Sequence, residues 1–476
     1  MTLLPDEQIE KNFADIAPAM TPSEAAVEAN RCLFCFDAPC MHACPTHIDV
    51  PGFIKKIASG NLRGSARVIL DANPIGATCA RVCPVEVLCE GACVEGTLLQ
   101  KPIEIGRLQR YATDHIFSSG KQLFEKGDPN GMSIGIVGSG PAGLSCAAYL
   151  SRLGYKVTVY ERRSKPGGLD TYGMAEYKMS QQVSLTEVGF AANLGVEFKT
   201  NVEVGSRPAS TGVAEKDASS KDREHPADTI AFDDLAERHD AVFLAVGLGR
   251  TNDLNIPGEH LEGVFDALSL IEQIKTRDWK SVPVGRTVVV IGAGNTAVDA
   301  ATQAKRLGAE RVIMAYRRSS AEMPAYEYEF ELAKNDGVEF VWHAKPIEIV
   351  ADEAGSKVRT LRCERADAAG EIFEIPCDMV IKAVGQQKLG SFFSDVAGVE
   401  TDSRGRVVVN SKMQTSKPSV FAGGDCVNGG GEAVEAAQMG KLAAQGIHEM
   451  LSGEQVELTG AVLKAPPKAP VDTVPH

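Results

Sequence analysis

Ser133-Ile-Gly-Ile-Val-Gly138-Ser-Gly140-Pro141-Ala142-Gly143-Leu144 is a short apolar run, a glycine turn and the opening of a helix. A second apolar run, Lys156-Val-Thr-Val-Tyr-Glu161, follows the helix. Gly138-x-Gly140-x-x-Gly143 lets the backbone approach a pyrophosphate at the helix N-terminus. Glu161 lies 21 residues after Gly140, the spacing expected of a carboxylate that bonds ribose hydroxyls. A glycine fingerprint alone is a weak signal. With its strand, helix and acid in place it specifies a parallel α/β unit that holds a dinucleotide.

The same grammar recurs from residue 286. Arg286-Thr-Val-Val-Val-Ile-Gly292-Ala-Gly294-Asn295-Thr296-Ala297 has alanine in third place, and its second strand runs into Arg317-Arg318. An acid there would repel a 2′-phosphate and arginines attract it, so this unit is expected to favour NADP(H) over NAD(H). Asp240-Ala-Val-Phe-Leu-Ala-Val-Gly247 and Asp378-Met-Val-Ile-Lys-Ala-Val-Gly385 are near-copies, each about a hundred residues after its fingerprint. Each is read as closing one nucleotide domain. Val420-Phe-Ala-Gly-Gly-Asp425 is a further strand with a glycine turn and an acid.

Ahead of both units, eight cysteines fall within 62 residues: Cys32, Cys35, Cys40, Cys44, Cys79, Cys83, Cys89 and Cys93. Their spacing, C-x2-C-x4-C-x3-C-P then C-x3-C-P-x4-C-x3-C, is of the kind that ligates iron–sulfur clusters, and two tetranuclear clusters need about eight ligands. Structural zinc prefers paired C-x2-4-C motifs, which only Cys32/Cys35 fit well. The start of the chain has no charged n-region followed by an apolar h-region, so a cytoplasmic, reducing location is expected and disulfides are disfavoured. Cys146, Cys363, Cys377 and Cys426 are scattered and read as small buried residues.

At 476 residues the prior is about three domains. The net charge of −14 argues against nucleic acid as a partner. No apolar run reaches the roughly 18 residues of a membrane span.

Two fingerprints, two strand-Val-Gly closures and a C-terminal Gly-Gly-Asp resemble the two-dinucleotide-binding flavoprotein reductases. The resemblance implies FAD on the first fingerprint, a nicotinamide nucleotide on the second, inserted one, and Asp425 near the FAD ribitol and phosphate. It sets Pro166-Gly-Gly168-Leu169 along the flavin and brings Lys178 into contact with it. With the cysteine region added, the chain is similar to the NAD(P)H-oxidising FAD/iron–sulfur subunit of bacterial dihydropyrimidine dehydrogenase and to the glutamate synthase small subunit. The dihydropyrimidine dehydrogenase pattern implies one 4Fe–4S cluster on Cys32, Cys35, Cys40 and Cys93. It implies a second on Cys44, Cys83, Cys89 and Gln109, sixteen residues after Cys93, which leaves Cys79 without iron. The alternative eighth ligand is Cys79, with Gln109 a plain helix residue.

The expected architecture is therefore α/β: a helical iron–sulfur domain (1–125), a discontinuous FAD domain (130–282 with 387–450), an inserted NAD(P)H domain (283–386) and an extended tail (451–476). Residues 206–227 read as a polar surface loop. The resemblance implies hydride transfer from NAD(P)H to FAD and then one-electron transfer into the clusters. Such chemistry needs no acid–base pair, and no catalytic side chain is assigned. A (β/α)8 barrel takes about 250 residues, so the FMN-bearing, pyrimidine-reducing barrel is expected on a second subunit.

Overall fold

The computed structural model describes residues 4–205, 228–368 and 370–456, with Leu458. The expected loop at 206–227 and most of the tail lie outside the described residues.

The cysteine region is helical. Helices α1 (Asp6–Asn12), α2 (Pro22–Arg31), α3 (Pro39–His42), α4 (Val50–Ala58), α5 (Leu62–Ala72), α6 (Gly76–Val82), α7 (Val94–Leu99) and α8 (Ile105–Ser118) alternate with short connections; Cys40 and Cys79 lie within α3 and α6, and the other six clustered thiols lie at helix ends or in the connections. Thr21-Pro-Ser-Glu24 forms the capping box that its spacing predicts: Glu24 N donates to Thr21 Oγ1 at 3.2 Å, and Thr21 N donates to Glu24 Oε2 at 2.7 Å. That box starts the helix whose far end is Cys32.

The first nucleotide unit contains β1 (Ser133–Val137), α9 (Pro141–Arg152), β2 (Lys156–Tyr160), α10 (Leu169–Tyr172), α11 (Gln181–Asn193) and β3 (Glu197–Lys199). A parallel pair follows, β4 (Val202–Gly205) and β5 (Asp228–Ala231), then α12 (Phe232–Arg238) and β6 (Ala241–Leu244). The second unit contains β7 (Val264–Asp266), α13 (Ala267–Thr276), β8 (Thr287–Ile291), α14 (Asn295–Leu307), β9 (Arg311–Ala315), α15 (Glu327–Asn335) and β10 (Glu339–Val341). The hairpin strands β11 (Ala344–Ala351), β12 (Val358–Arg365) and β13 (Ile372–Pro376) precede β14 (Met379–Lys382). The chain then returns to the first unit with β15 (Val420–Ala422), α16 (Asp425–Asn428) and α17 (Ala433–Ser452).

Both nucleotide units hold a five-stranded parallel sheet, in the orders β15-β6-β1-β2-β3 and β10-β9-β8-β14-β7. The two strand-Val-Gly copies occupy equivalent places: β6 beside β1, β14 beside β8. The acid that opens each copy has the same task. Asp240 Oδ2 accepts from Ser133 N at 2.7 Å, and Asp378 Oδ1 accepts from Thr287 N at 2.9 Å. Each ties its strand to the first residue of the fingerprint strand.

Two features depart from the expected boundaries. The edge strand β7 pairs with β14, and Leu270 and Ile274 of α13 pack with Val298 and Ala301 of α14. The second unit therefore begins before residue 283; a three-residue strand carries too little periodicity to be read from sequence. Helix α1 also leaves the cluster region. Ile9 and Phe13 are buried with α14, and Phe13 stacks on Trp279 at 4.8 Å. The core of the cluster region, by contrast, is continuous with that of the first nucleotide unit.

Candidate functional site: a dinucleotide cavity beside two thiol cavities

A cavity of about 420 Å³ opens over the carboxyl ends of β1 and β6. The glycines shape it. Gly138 has φ 96°, and a Cβ there would stand 2.4 Å from Ala245 O. A Cβ on Gly143 would stand 2.1 Å from Gly138 O, so the helix packs onto the turn only without a side chain. A Cβ on Gly140 would meet only Gly168 Cα, at 3.9 Å, so the turn has room in front of it for the close approach of a pyrophosphate. Pro141, Ala142, Gly168, Leu169 and Asp425 also line the cavity. Glu161 lines it as well; its Oε1 accepts from Arg163 N at 2.9 Å and its Oε2 from Ser139 N at 3.1 Å. Asp425 Oδ1 accepts from Gly431 N at 3.1 Å, and burial raises its carboxyl above the usual range. Asp170, which sequence reasoning did not select, lines the cavity with both carboxylate oxygens unpartnered. A glycine cradle with Glu161 and Asp425 in one cavity fits an extended dinucleotide such as FAD.

In the second unit Gly292 has φ 133°, and Gly294 caps α14 with open space in front of it. Asn295 Oδ1 accepts from Tyr326 N at 3.1 Å, while Thr296 is exposed on the first turn. Arg317 and Arg318 are exposed two and three residues beyond β9, and Gly385, with φ 83°, lies three residues beyond β14. Arg317, Arg318 and Gly385 thus follow the two strands, β9 and β14, that flank β8.

Lys178 does not line the dinucleotide cavity. Its Nζ is held by Asp299 of α14 at 2.7 Å and by Glu329 of α15. Burial opposes its charge, but Asp299, Tyr177 and Glu329 outweigh burial and raise its pKa. Its place is the seam between the two nucleotide units, where Tyr326 Oη also donates to Glu432 Oε1 at 2.7 Å.

The eight clustered cysteines separate into two cavities. Cys32, Cys35, Cys40 and Cys93 line one; Cys44, Cys79, Cys83 and Cys89 line the other with Gln109. All twelve cysteines of the chain are free. Among the described residues no three His, Cys, Asp or Glu side chains converge as they would on a single metal ion. The thiols ring two spaces instead, which suits cubane clusters that hold their ligands apart. Burial, then Cys93 and Cys32, push the Cys40 thiol up to about 12. A hydrogen bond with Cys79 and burial raise Cys83, and burial raises Cys89. Crowded neutral thiols of this kind lose their protons to an incoming metal.

In the second thiol cavity two side chains compete for one role. Cys79 Sγ accepts from Asn73 Nδ2 at 3.1 Å, while Gln109 Nε2 donates to Gly76 O at 2.7 Å. The bond to Gly76 fixes the Gln109 amide and leaves its oxygen as the remaining donor atom for a metal. Two buried groups missed in the sequence support this wall. Glu187 of α11 accepts from Ala77 N at 2.7 Å and Thr78 N at 3.1 Å, which anchors α6 to the first nucleotide unit. Lys441 of α17 donates to Thr46 O at 2.9 Å, beside Cys44. Only the isolated polarity of Lys441 and Glu187 within otherwise apolar helix faces could have signalled them.

The dinucleotide cavity and the second thiol cavity share a wall. Ala433 and Ala436 of α17 line the first, and Val434 lines the second.

Residues 132–440 match the pyridine nucleotide-disulphide oxidoreductase family, and residues 9–121 match the dihydropyrimidine dehydrogenase domain II, 4Fe-4S cluster family. The chain is 33% identical to the NAD-dependent dihydropyrimidine dehydrogenase subunit PreT of Escherichia coli K12, over 93% of this chain and 98% of that protein. It is also 33% identical to the glutamate synthase (NADPH) small chain of the same organism, over 92% of this chain and 94% of that one. Among solved structures it resembles Lactococcus lactis thioredoxin reductase, with a TM-score of 0.52 and 24% identity over 68% of this chain and all of that chain. That likeness concerns the fold alone. No helix among the described residues is long and apolar enough to cross a membrane. The chain belongs to the pyridine nucleotide-disulphide oxidoreductases, as an NAD(P)H-dependent oxidoreductase that binds FAD and carries an N-terminal 4Fe–4S domain.

Proposed function

We propose that this chain is the cytoplasmic electron-input subunit of a hetero-oligomeric dihydropyrimidine dehydrogenase. It oxidises NAD(P)H, with NADPH favoured, and delivers electrons through two 4Fe–4S clusters to an FMN-bearing barrel subunit that reduces uracil or thymine. When bound, FAD supplies the step from a two-electron donor to one-electron carriers. The observation that carries this reading is the shared wall, where Ala433 and Val434 are neighbours in one helix turn yet face different cavities.

That adjacency supports an order of centres. The inner cluster sits on Cys44, Cys83, Cys89 and Gln109, next to the flavin. The outer cluster sits on Cys32, Cys35, Cys40 and Cys93. Close in sequence to the outer thiols, Val27, Leu33, Phe34, Phe36, Leu98 and Leu99 form an exposed apolar set, of which Leu33 also lines the cluster cavity. A partner subunit that receives electrons there would cover it. On this chain's side, the glycine turns hold the two nucleotides, Lys178 ties the two nucleotide units together through Asp299 and Glu329, and Glu187 fixes the inner cluster's helix against the flavin unit.

The second reading is the small chain of a glutamate synthase. One observation favours it: Arg317 and Arg318 suit NADPH, the nucleotide in that relative's name, whereas the dihydropyrimidine dehydrogenase subunit is named as NAD-dependent. Reconstitution decides. The holo-chain with a barrel-bearing partner should reduce uracil or thymine at the expense of NAD(P)H. Glutamate formation from glutamine and 2-oxoglutarate with a glutamate synthase large subunit, and no pyrimidine reduction, would move the chain to the second reading.

A further inference from the structure

A buried cation stands beside the inner thiols with no opposite charge to meet it. Lys441 lies on α17, seven residues after Val434, and is 1% exposed. Seven residues are close to two helical turns, so Lys441 shares a face with Val434, which lines the second thiol cavity. Lys441 Nζ donates to Thr46 O at 2.9 Å and lies 5.8 Å from the centre of the Tyr149 ring. Thr46 is fully buried, and its Oγ1 lies 3.4 Å from Cys44 Sγ. Thr46 thus bridges the ammonium and a thiol of the inner set.

The groups around the ammonium do not balance it. Among the described residues no carboxylate pairs with Nζ, and its hydrogen bond goes to a neutral carbonyl. Asp71 on α5 favours the charge, but its Oδ1 already holds Arg152 Nη2 at 2.5 Å. Burial is the leading influence on Lys441 and pulls its pKa down to about 8, with Cys44 and Asp71 acting against it, so the side chain stays charged at neutral pH. A buried ammonium without a counter-charge is costly, and an apolar side chain would fill the position without that cost. The inner thiols supply the missing charge once they hold iron, because they bind it as thiolates.

We propose that Lys441 is the built-in counter-charge of the inner iron–sulfur cluster and raises that cluster's reduction potential above the value its ligands alone would give. The inference rests on reading the second thiol cavity as a cluster site. A fixed cation stabilises the more negative redox state, and reduction adds an electron to the cluster; between buried groups that field is little screened. Lys441 is not a ligand and acts through its charge, across Thr46. Its helix carries Ala433 and Ala436 on the dinucleotide cavity and Lys441 beside the inner thiols, so the cation favours electron flow from the flavin side to the inner cluster. The outer thiols, Cys32, Cys35, Cys40 and Cys93, face a cavity that no residue of α17 lines, so the outer cluster should feel the charge little.

The test uses the full chain reconstituted with FAD, iron and sulfide, in the wild type, Lys441→Gln, Lys441→Met and Lys441→Arg. Iron content counts the clusters, and an EPR-monitored titration driven by photoreduced deazaflavin gives their midpoint potentials. Gln keeps a donor for Thr46 O without the charge, Met keeps only the bulk, and Arg keeps the charge. Lys441→Gln and Lys441→Met should each displace the reduction equilibrium of one cluster about tenfold toward the oxidised form, about 59 mV more negative for a one-electron couple, and leave the other cluster unmoved. Lys441→Arg should stay near the wild type. Wild-type potentials in both neutral variants overturn the inference. So does a wild-type potential in Lys441→Gln with only Lys441→Met displaced, because the hydrogen bond would then matter and the charge would not. Equal displacement of both clusters would mark a general change in packing and also refutes it. If the neutral variants lose about half of their iron, Lys441→Arg decides: wild-type iron and potentials support the counter-charge, and the same loss refutes it. A wild type that takes up about four irons instead of about eight would refute the second cluster itself, and the inference with it.

Discussion

Gln109 and Cys79 face one cavity, and a substitution at each separates their roles. If Gln109 is the eighth ligand, Cys79→Ser should leave iron content at about eight per chain, whereas Gln109→Ala should lose the inner cluster and leave about four. The reverse pattern would assign the iron to Cys79. A neutral amide in place of a thiolate removes one negative charge, so the inner cluster should also titrate at a higher potential than a four-thiolate site. Arg317 and Arg318 make a second test at this scale. Losing a charge-assisted phosphate contact costs about 1.5–3 kcal/mol, or roughly 10- to 150-fold in affinity. Changing both to Ser should raise the Michaelis constant for NADPH by that order and leave NADH little affected; an unmodified enzyme that strongly prefers NADH would contradict the assignment.

Among the elements, α1 and α17 do work that their sequences do not advertise. Helix α1 reaches from the cluster region into the second nucleotide unit. There Ile9 and Phe13 are buried, Asn12 Nδ2 donates to Arg306 O at 2.9 Å, and Arg306 Nη1 donates back to Asn12 O at 3.0 Å. Arg306 also lies 3.9 Å over the Tyr177 ring, so the strap, the second unit and the first unit meet at one guanidinium. Phe13→Ala removes a buried aromatic and should destabilise that unit by about 3 kcal/mol. Thermal unfolding followed by tryptophan emission reports it, because Trp279 stacks on Phe13; an unchanged transition would show that the strap is dispensable. Helix α17 crosses α9 so closely that a Cβ on Gly440 would stand 2.2 Å from Ala142 O. Gly440→Val should force the helices apart, lower the melting temperature and weaken FAD retention, since Ala142 lines the cavity. Full flavin occupancy with unchanged stability in that variant would count against this packing account.

At the scale of the molecule, the proposed order of centres runs from the nicotinamide unit to the flavin unit, then to the inner and outer thiol cavities and the exposed apolar residues beside them. The holo-chain alone should therefore bleach its flavin with NAD(P)H and reduce artificial acceptors, yet leave uracil and thymine untouched until a partner is added. Phe36, one of these apolar residues, is fully exposed and supports no core. Phe36→Asp should leave oxidation of NAD(P)H by an artificial acceptor unchanged and weaken coupling to the partner subunit, measured as partner-dependent pyrimidine reduction. Unchanged coupling would place the electron exit elsewhere.

The sequence by itself determined the two nucleotide units, because glycine turns, apolar strands and helix starts are local constraints that follow one another along the chain. Gly138, Gly140, Gly143, Gly292 and Gly294 were legible for that reason, as were the paired strands opened by Asp240 and Asp378 and the capping box at Thr21. The cysteine spacing likewise announced iron–sulfur chemistry, although which thiols share a cavity was legible only through a resemblance to a known family. Tertiary structure decided everything that depends on what a side chain meets across the fold. It moved Lys178 from the flavin to the seam, where Asp299 and Glu329, more than a hundred residues away, offset its burial. It drew β7 and α1 into the second unit, because a three-residue strand and a seven-residue helix carry no periodicity strong enough to declare a partner. It left the Asp170 carboxylate buried without a hydrogen-bond partner, since burial and unmet hydrogen bonding are properties of the packed molecule and leave no mark on the local sequence.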